Sequence, residues 1–202
     1  MPGQSVDTYD YLKDLLKKAP LFVFALPEEA GEEFTEEEVL FTGVGKINAA
    51  HSLTKRLNHN KYSIIINLGS AGSSAFNKGD IVCCTSFVQR DMNVTALGFD
   101  EYKTPYSEDE IIIATGMKAP GLPYGICGSG DNFETNHKSE LYNVVDMEAY
   151  SLALICMREQ VPFLCLKYIT DGADDSAGND WQTSLHAVAV QLKERINQIH
   201  AL

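Results

Sequence analysis

Short apolar runs alternate with amphipathic stretches along this chain, and that alternation predicts one α/β domain. Three runs carry the strand assignment: Leu21–Leu26 (L-F-V-F-A-L), Ser63–Leu68 (S-I-I-I-N-L) and Phe163–Ile169 (F-L-C-L-K-Y-I). Each has the length of a strand buried on both faces, and the last is apolar but for Lys167. At 202 residues the chain can build a full core around such strands. It has no internal repeat, low-complexity tract or linker composition.

Taken in order, Thr8–Ala19 is an amphipathic helix with Tyr9, Leu12, Leu15 and Leu16 on one side. The strand Leu21–Leu26 ends in Pro27-Glu28-Glu29 without the glycine fingerprint of a dinucleotide site. Seven glutamates fall between Glu28 and Glu38, which reads as a solvated face with one or two acids free for chemistry. Val39–Thr42 is a short strand; Gly43-Val44-Gly45-Lys46 follows, then a helix from Ile47 to about Leu57. The Gly-Lys pair lacks P-loop spacing, and Ile47 stands where that motif needs a hydroxyl. Ser63–Leu68 runs into Gly69-Ser70-Ala71-Gly72, read either as a plain turn or as a place where a ligand approaches the backbone. Further strands are expected at Ile81–Phe87, Ile111–Thr115 and Tyr124–Cys127. The stretch Arg90–Phe99 is too mixed for core and too apolar for a free loop, as a pocket cover would be. A helix starting near Asp146 or Met147 precedes Pro162, and Phe163–Ile169 runs into a polar turn at Thr170-Asp171-Gly172. A closing helix spans about Thr183–His200.

Composition excludes several classes. The formal net charge is −12 with no basic cluster, so nucleic acid and anionic membranes are not expected partners. No apolar run approaches the ~20 residues that span a bilayer, and the N-terminus lacks signal-peptide order. The five cysteines include no C-x-x-C pair and sit mostly in apolar runs, which suits reduced, buried thiols in a cytoplasm. The five histidines have no metal-site spacing, so no zinc or iron site is expected.

Seven short pieces occur in a fixed order: G-V-G-K (43–46), N-L-G-S-A-G (67–72), G-D-I-V (79–82), V-T-A-L-G-F (94–99), S-G-D-N-F (129–133), V-V-D-M-E-A (144–149) and T-D-G-A-D (170–174). Through them the chain resembles the nucleoside phosphorylase and nucleosidase superfamily, and within it the 5′-methylthioadenosine/S-adenosylhomocysteine nucleosidases. The resemblance implies a nucleoside phosphorylase-like fold: a single domain with a mixed central β-sheet flanked by helices, over residues 21–202, with residues 1–20 as a helical extension. It implies hydrolysis of a purine N-glycosidic bond, no cofactor, a small-molecule nucleoside substrate and a homodimer.

Breaking that bond makes the ribose oxocarbenium-like and leaves negative charge on the base. Asp171 matches the family's acid at base N7, a role that needs a carboxyl holding its proton at neutral pH, as burial favours. Glu29 matches the base that activates water, with Glu28 the alternative. Glu148 matches the acceptor for the ribose hydroxyls. Met147 matches the sugar-facing side chain, Phe133 the stacking ring, and the main chain of Glu134 the reader of N1 and the 6-amino group. Trp181 aligns with an aromatic that closes on the 5′ substituent, and Ser70, Ala71 and Gly72 line the substrate. Taken singly, each has an ordinary explanation: core packing for Met147 and Phe133, a helix-start acid for Glu148, a turn residue for Asp171. Two departures stand out. Lys167 replaces the usual arginine, and the two differ in geometry and hydration; it is expected to partner Glu29 and Glu148. Glu134 replaces an apolar residue. A purine nucleoside phosphorylase and a non-catalytic nucleoside-binding protein are the rival classes.

Overall fold

The computed structural model describes residues 8–137, 139–173 and 177–201, with the side chains of Thr8 and of residues 177–186 outside the description. Eight strands form one mixed sheet: β1 (Pro20–Phe24), β2 (Val39–Phe41), β3 (Ile64–Gly72), β4 (Ile81–Gln89), β5 (Ile112–Ile113), β6 (Tyr124–Ser129), β7 (Val144–Asp146) and β8 (Phe163–Asp171). Five of them close on themselves. β3 pairs β8 in parallel, β8 pairs β4 antiparallel, β4 pairs β6 and β6 pairs β7 in parallel, and β7 returns to β3 through the pair Gly72–Val145. β1 and β2 extend the sheet beyond β3, and β5 lies outside β4.

Apolar continuity in the strands reflects cover on both faces. Ile64, Ile66 and Leu68 of β3 join a core with Leu12, Leu15 and Leu16 of α1 (Thr8–Leu16) and Val188, Leu192, Ile196 and Ile199 of α5 (Ala177–Ala201). Ile65 and Ala71 face the other core, with Leu53 of α3 (Lys46–His59) and Leu152 and Cys156 of α4 (Ala149–Arg158). Each large side chain buried this way contributes about 1.5–3 kcal/mol of transfer free energy. All five cysteines are free and buried; burial pushes Cys83 up to about 12 and Cys127 up to about 11, so both are protonated packing groups.

Several boundaries differ from the sequence reading. Residues 69–72 are not a turn after β3 but its last four residues, and Thr170 and Asp171 end β8 rather than opening a turn. The parallel ladder between these strands, with an irregularity at Ala71/Gly72, outweighs the poor strand preference of Gly, Ser and Asp. Residues 144–146 are a strand, and the helix expected from Asp146 or Met147 starts at Ala149. Pro27-Glu28-Glu29 belongs to a four-residue helix, α2 (Pro27–Ala30), with Pro27 at its first position, where a missing N–H costs nothing. The strand expected at Ile111–Thr115 shrinks to Ile112–Ile113.

Among the described residues no helix is long and apolar enough to cross a membrane, and no group of three or more His, Cys, Asp or Glu could hold a metal ion.

Candidate active site

A cavity of about 370 Å³ opens where β3, β7 and β8 meet α2 and the loops after β4 and β6. Its lining includes Glu29, Ser70, Ala71, Gly72, Phe133, Glu134, Met147, Glu148 and Asp171. Nine of the eleven residues proposed from sequence therefore share one cavity. Lys167 is not among its lining residues. The side chain of Trp181 lies outside the described residues.

Glu29 is 4% exposed, whereas Glu28 points to solvent, so the fold separates the two adjacent acids. Glu29 Oε1 accepts hydrogen bonds from the Ser70 amide (2.9 Å) and hydroxyl (2.6 Å), and Oε2 accepts one from the Leu26 amide (3.3 Å). A β-carbon at Gly69 would sit 3.0 Å from Oε1, so a side chain there would press on the acid that α2 brings in.

Asp171 is 4% exposed at the end of β8. Thr170 donates its hydroxyl to Oδ2 (2.8 Å), and the Ala173 amide donates to Oδ1 (2.9 Å). These two donors fix the carboxyl plane.

Glu148 Oε1 accepts the Gly45 amide at 2.8 Å. Gly45 has φ +94°, a conformation L side chains rarely adopt, which explains the second glycine of G-V-G-K. Burial, then the neighbouring Asp146 charge, pushes the Glu148 carboxyl up to about 8 against the pull of Lys167 and the Gly45 amide.

Lys167 corrects the sequence reading. Its ammonium pairs with Asp146 (2.8 Å) and not with Glu29 or Glu148, and both side chains are nearly inaccessible. Asp146 Oδ2 also accepts the Ala149 amide (2.9 Å) at the start of α4, and the Ser129 hydroxyl donates to Oδ1 while accepting the Tyr150 amide (2.8 Å). Ser129 and Asp146 thus satisfy the free amides of the helix that carries Glu148 at its head. The Lys167 charge holds Asp146 below the usual carboxylate range, opposing its burial.

Arg90, Asn132 and Val145 also line the cavity and were not singled out from the sequence. Arg90 had one legible signal: it is the only basic residue between Lys78 and Lys103 and follows an apolar strand. The Glu134 side chain is held from three sides, by Arg90 Nη1 (3.1 Å), His137 Nδ1 (2.6 Å) and the Tyr142 hydroxyl (3.1 Å). Phe133, half exposed, forms part of the rim.

Comparison with known proteins agrees with this architecture. The sequence matches the family described as the phosphorylase superfamily over residues 33–201. It is 30% identical over 189 residues to the 5′-methylthioadenosine/S-adenosylhomocysteine nucleosidase of Bacillus subtilis (strain 168), covering 83% of this chain and 81% of that protein. It is 31% identical over 180 residues to the protein of the same name from Anoxybacillus flavithermus, covering 78% and 77%. The fold matches a crystal structure of the Helicobacter pylori 5′-methylthioadenosine/S-adenosylhomocysteine nucleosidase with butyl-thio-DADMe-Immucillin-A at TM-score 0.79 and 20% identity, covering 89% of this chain and 96% of that one. Futalosine hydrolase of Helicobacter pylori has the same fold at TM-score 0.78 and 19% identity, with 89% and 96% covered. With its closed mixed sheet, its ordered motifs and these relatives, the chain belongs to the phosphorylase superfamily.

Proposed function

We propose that this protein hydrolyses the N-glycosidic bond of a 5′-substituted adenosine, of the 5′-methylthioadenosine or S-adenosylhomocysteine type, and releases adenine. The observation that carries this reading is the convergence of three buried carboxyl groups, Glu29, Glu148 and Asp171, on one cavity. Burying three acids together is costly, and acids gathered in one cleft despite that cost mark a functional site.

In this reading Asp171 gives its proton to base N7 as the C1′–N9 bond breaks and the bonding electrons pass to the base. Water bonds to C1′ and yields its proton to Glu29, whose orientation Ser70 and the Leu26 amide set. Glu148, anchored by Gly45, accepts from the ribose hydroxyls. Phe133 stacks on the base, Met147 packs on the sugar, and the Glu134 main chain reads N1 and the 6-amino group. The Glu134 side chain is engaged by Arg90, His137 and Tyr142, which leaves base reading to its backbone.

A phosphorylase would need cations for its anionic nucleophile. Arg90 is the one Lys or Arg among the described lining residues, and it is tied to Asn132 and Glu134. Hydrolysis is therefore favoured over phosphorolysis. The protein acts in the cytoplasm, in methionine salvage, as a homodimer. The exposed Leu97 and Tyr106 (73% and 94%) support the dimer as an apolar surface that a second copy would cover. Sedimentation at assay concentration tests it, and a monomer would contradict it.

The decisive experiment follows adenine release from 5′-methylthioadenosine in phosphate-free buffer and identifies the sugar. Free methylthioribose with no acceleration by phosphate is expected. A sugar 1-phosphate or strict phosphate dependence would overturn hydrolysis, and tight binding without turnover would make the protein a nucleoside-binding one.

A further inference from the structure

Arg90 is the cavity's unexplained charge. Its side chain is 4% exposed and sits in the cavity wall against Asn132 and Glu134. Three contacts fix the guanidinium. Nη1 donates to Asn132 Oδ1 (2.9 Å) and faces Glu134 Oε2 (3.1 Å), and Nη2 donates to the Asn132 carbonyl. Gly130 makes room for it, since a β-carbon there would lie 2.9 Å from Arg90 Cζ. The Nε–H, also buried, has no hydrogen-bond partner among the described residues. An unpaired buried donor costs about 1–3 kcal/mol, a cost the fold bears in the wall of the cavity.

We propose that Arg90 stabilises the departing base. This rests on the N-glycosidase reading above and adds a second electrophile to it. As the C1′–N9 bond lengthens, its electron pair moves onto the purine, and Asp171 supplies a proton at N7. Charge that develops before that transfer is complete meets a fixed cation at the base end of the cavity, the end marked by Phe133 and the Glu134 main chain. The cation is oriented before the reaction starts, so the transition state costs no reorganisation. The opposing charge of Glu134 is shared among Arg90, His137 and the Tyr142 hydroxyl. These contacts hold the carboxylate, and with it the guanidinium, in one orientation.

The test uses Arg90→Gln and Arg90→Lys in the full chain. The substrates are 5′-methylthio nucleosides of adenine, 2-fluoroadenine and 6-chloropurine, the last two with more acidic and hence better-leaving bases. Arg90→Gln is expected to lower kcat for the adenine substrate by ~10²-fold, the scale of one lost preorganised donor. The loss should shrink as the base becomes a better leaving group, so a plot of log kcat against base acidity steepens. Arg90→Lys keeps the cation but not the fork, and should lose less on adenine with the same trend. It also serves if the glutamine variant does not fold, as thermal melting would reveal. Equal losses on all three bases, or a change confined to KM, would make Arg90 a structural clamp of the Asn132–Glu134 segment and overturn the proposal. So would a variant with unchanged kcat. A wild-type protein that releases no base from any of the three overturns the functional reading, and this proposal with it. Base release by wild type with flat variant effects overturns this proposal alone.

Discussion

Gly72 and Asp171 meet across the last rung of β3 and β8 so closely that a β-carbon at position 72 would stand 2.5 Å from Asp171 Oδ1. The same carbon would lie 3.0 Å from Val145 Cγ2, where β7 closes the sheet. Gly72→Ala must therefore move the acid, the closing strand or both. Misplacement of a catalytic group by about 1 Å can cost ~10²-fold in rate. Adenine release should fall by that order while the protein still melts cooperatively. Unchanged turnover would mean that the acid's position is not critical.

Asp171→Asn keeps the shape of the side chain, its oxygen can keep the Ala173 amide while its NH₂ donates to the Thr170 hydroxyl, and it has no acidic proton for N7. Loss of a general acid is worth about 10²–10⁴-fold. Base release should drop within that range with little change in melting temperature. A variant that retains most of its turnover would place the acid elsewhere.

Glu29→Gln puts an amide where three donors, two from Ser70 and one from Leu26, now converge on a carboxylate. At least one donor would face an NH₂ group, and no base would remain to take the proton from water. Hydrolysis in phosphate-free buffer should be lost, while binding of a non-hydrolysable nucleoside analogue should weaken far less. Equal loss of both would point to a binding role for Glu29.

Glu148 makes stability pH-dependent in a stated direction. Its folded-state carboxyl titrates at about 8, above the ordinary value of 4.5, so between those values the folded state holds a proton that the unfolded state releases. Stability from this group is present at low pH and lost as pH rises through about 8. Glu148→Gln cannot titrate, so its melting temperature should decline less between pH 5 and pH 8 than that of wild type, on the order of the range the shift covers. Parallel profiles for the two proteins would contradict the burial argument.

Lys167→Met leaves Asp146 as a buried carboxylate without its ion-pair partner. Breaking such a pair costs about 3–5 kcal/mol. The double variant Lys167→Met/Asp146→Asn, which removes both charges, should recover part of the loss in a denaturant titration. If the single variant is as stable as wild type, the pair is not what holds the head of α4.

Much of this molecule was legible in one dimension. The apolar runs marked β1, β3, β4, β6 and β8 because a strand covered on both faces must be apolar throughout. Short motifs in a fixed order brought Glu148 and Asp171 forward, and the end of the first apolar run brought Glu29, although each residue alone suits a surface or turn. The strand ends were misjudged for a physical reason. Gly69–Gly72 and Thr170–Asp171 carry residues that favour turns, and only the β3–β8 ladder extends the strands through them. The three-residue β7 has too few residues for any period to show.

The sequence by itself determined the α/β class, the strands of the core and the set of acids from which a catalytic site could be built, because burial on two faces and motif order are written locally. The tertiary structure alone decided how those pieces meet. It turned Glu29 inward and Glu28 outward, gave Lys167 to Asp146 instead of Glu29 and Glu148, and brought Arg90 into the cavity wall. These outcomes depend on closure of the sheet from β3 through β7, β6, β4 and β8, a set of pairings between residues far apart in the chain. Local periodicity tells which face of an element is apolar, and only the closed sheet sets which charged side chains share the space at its end.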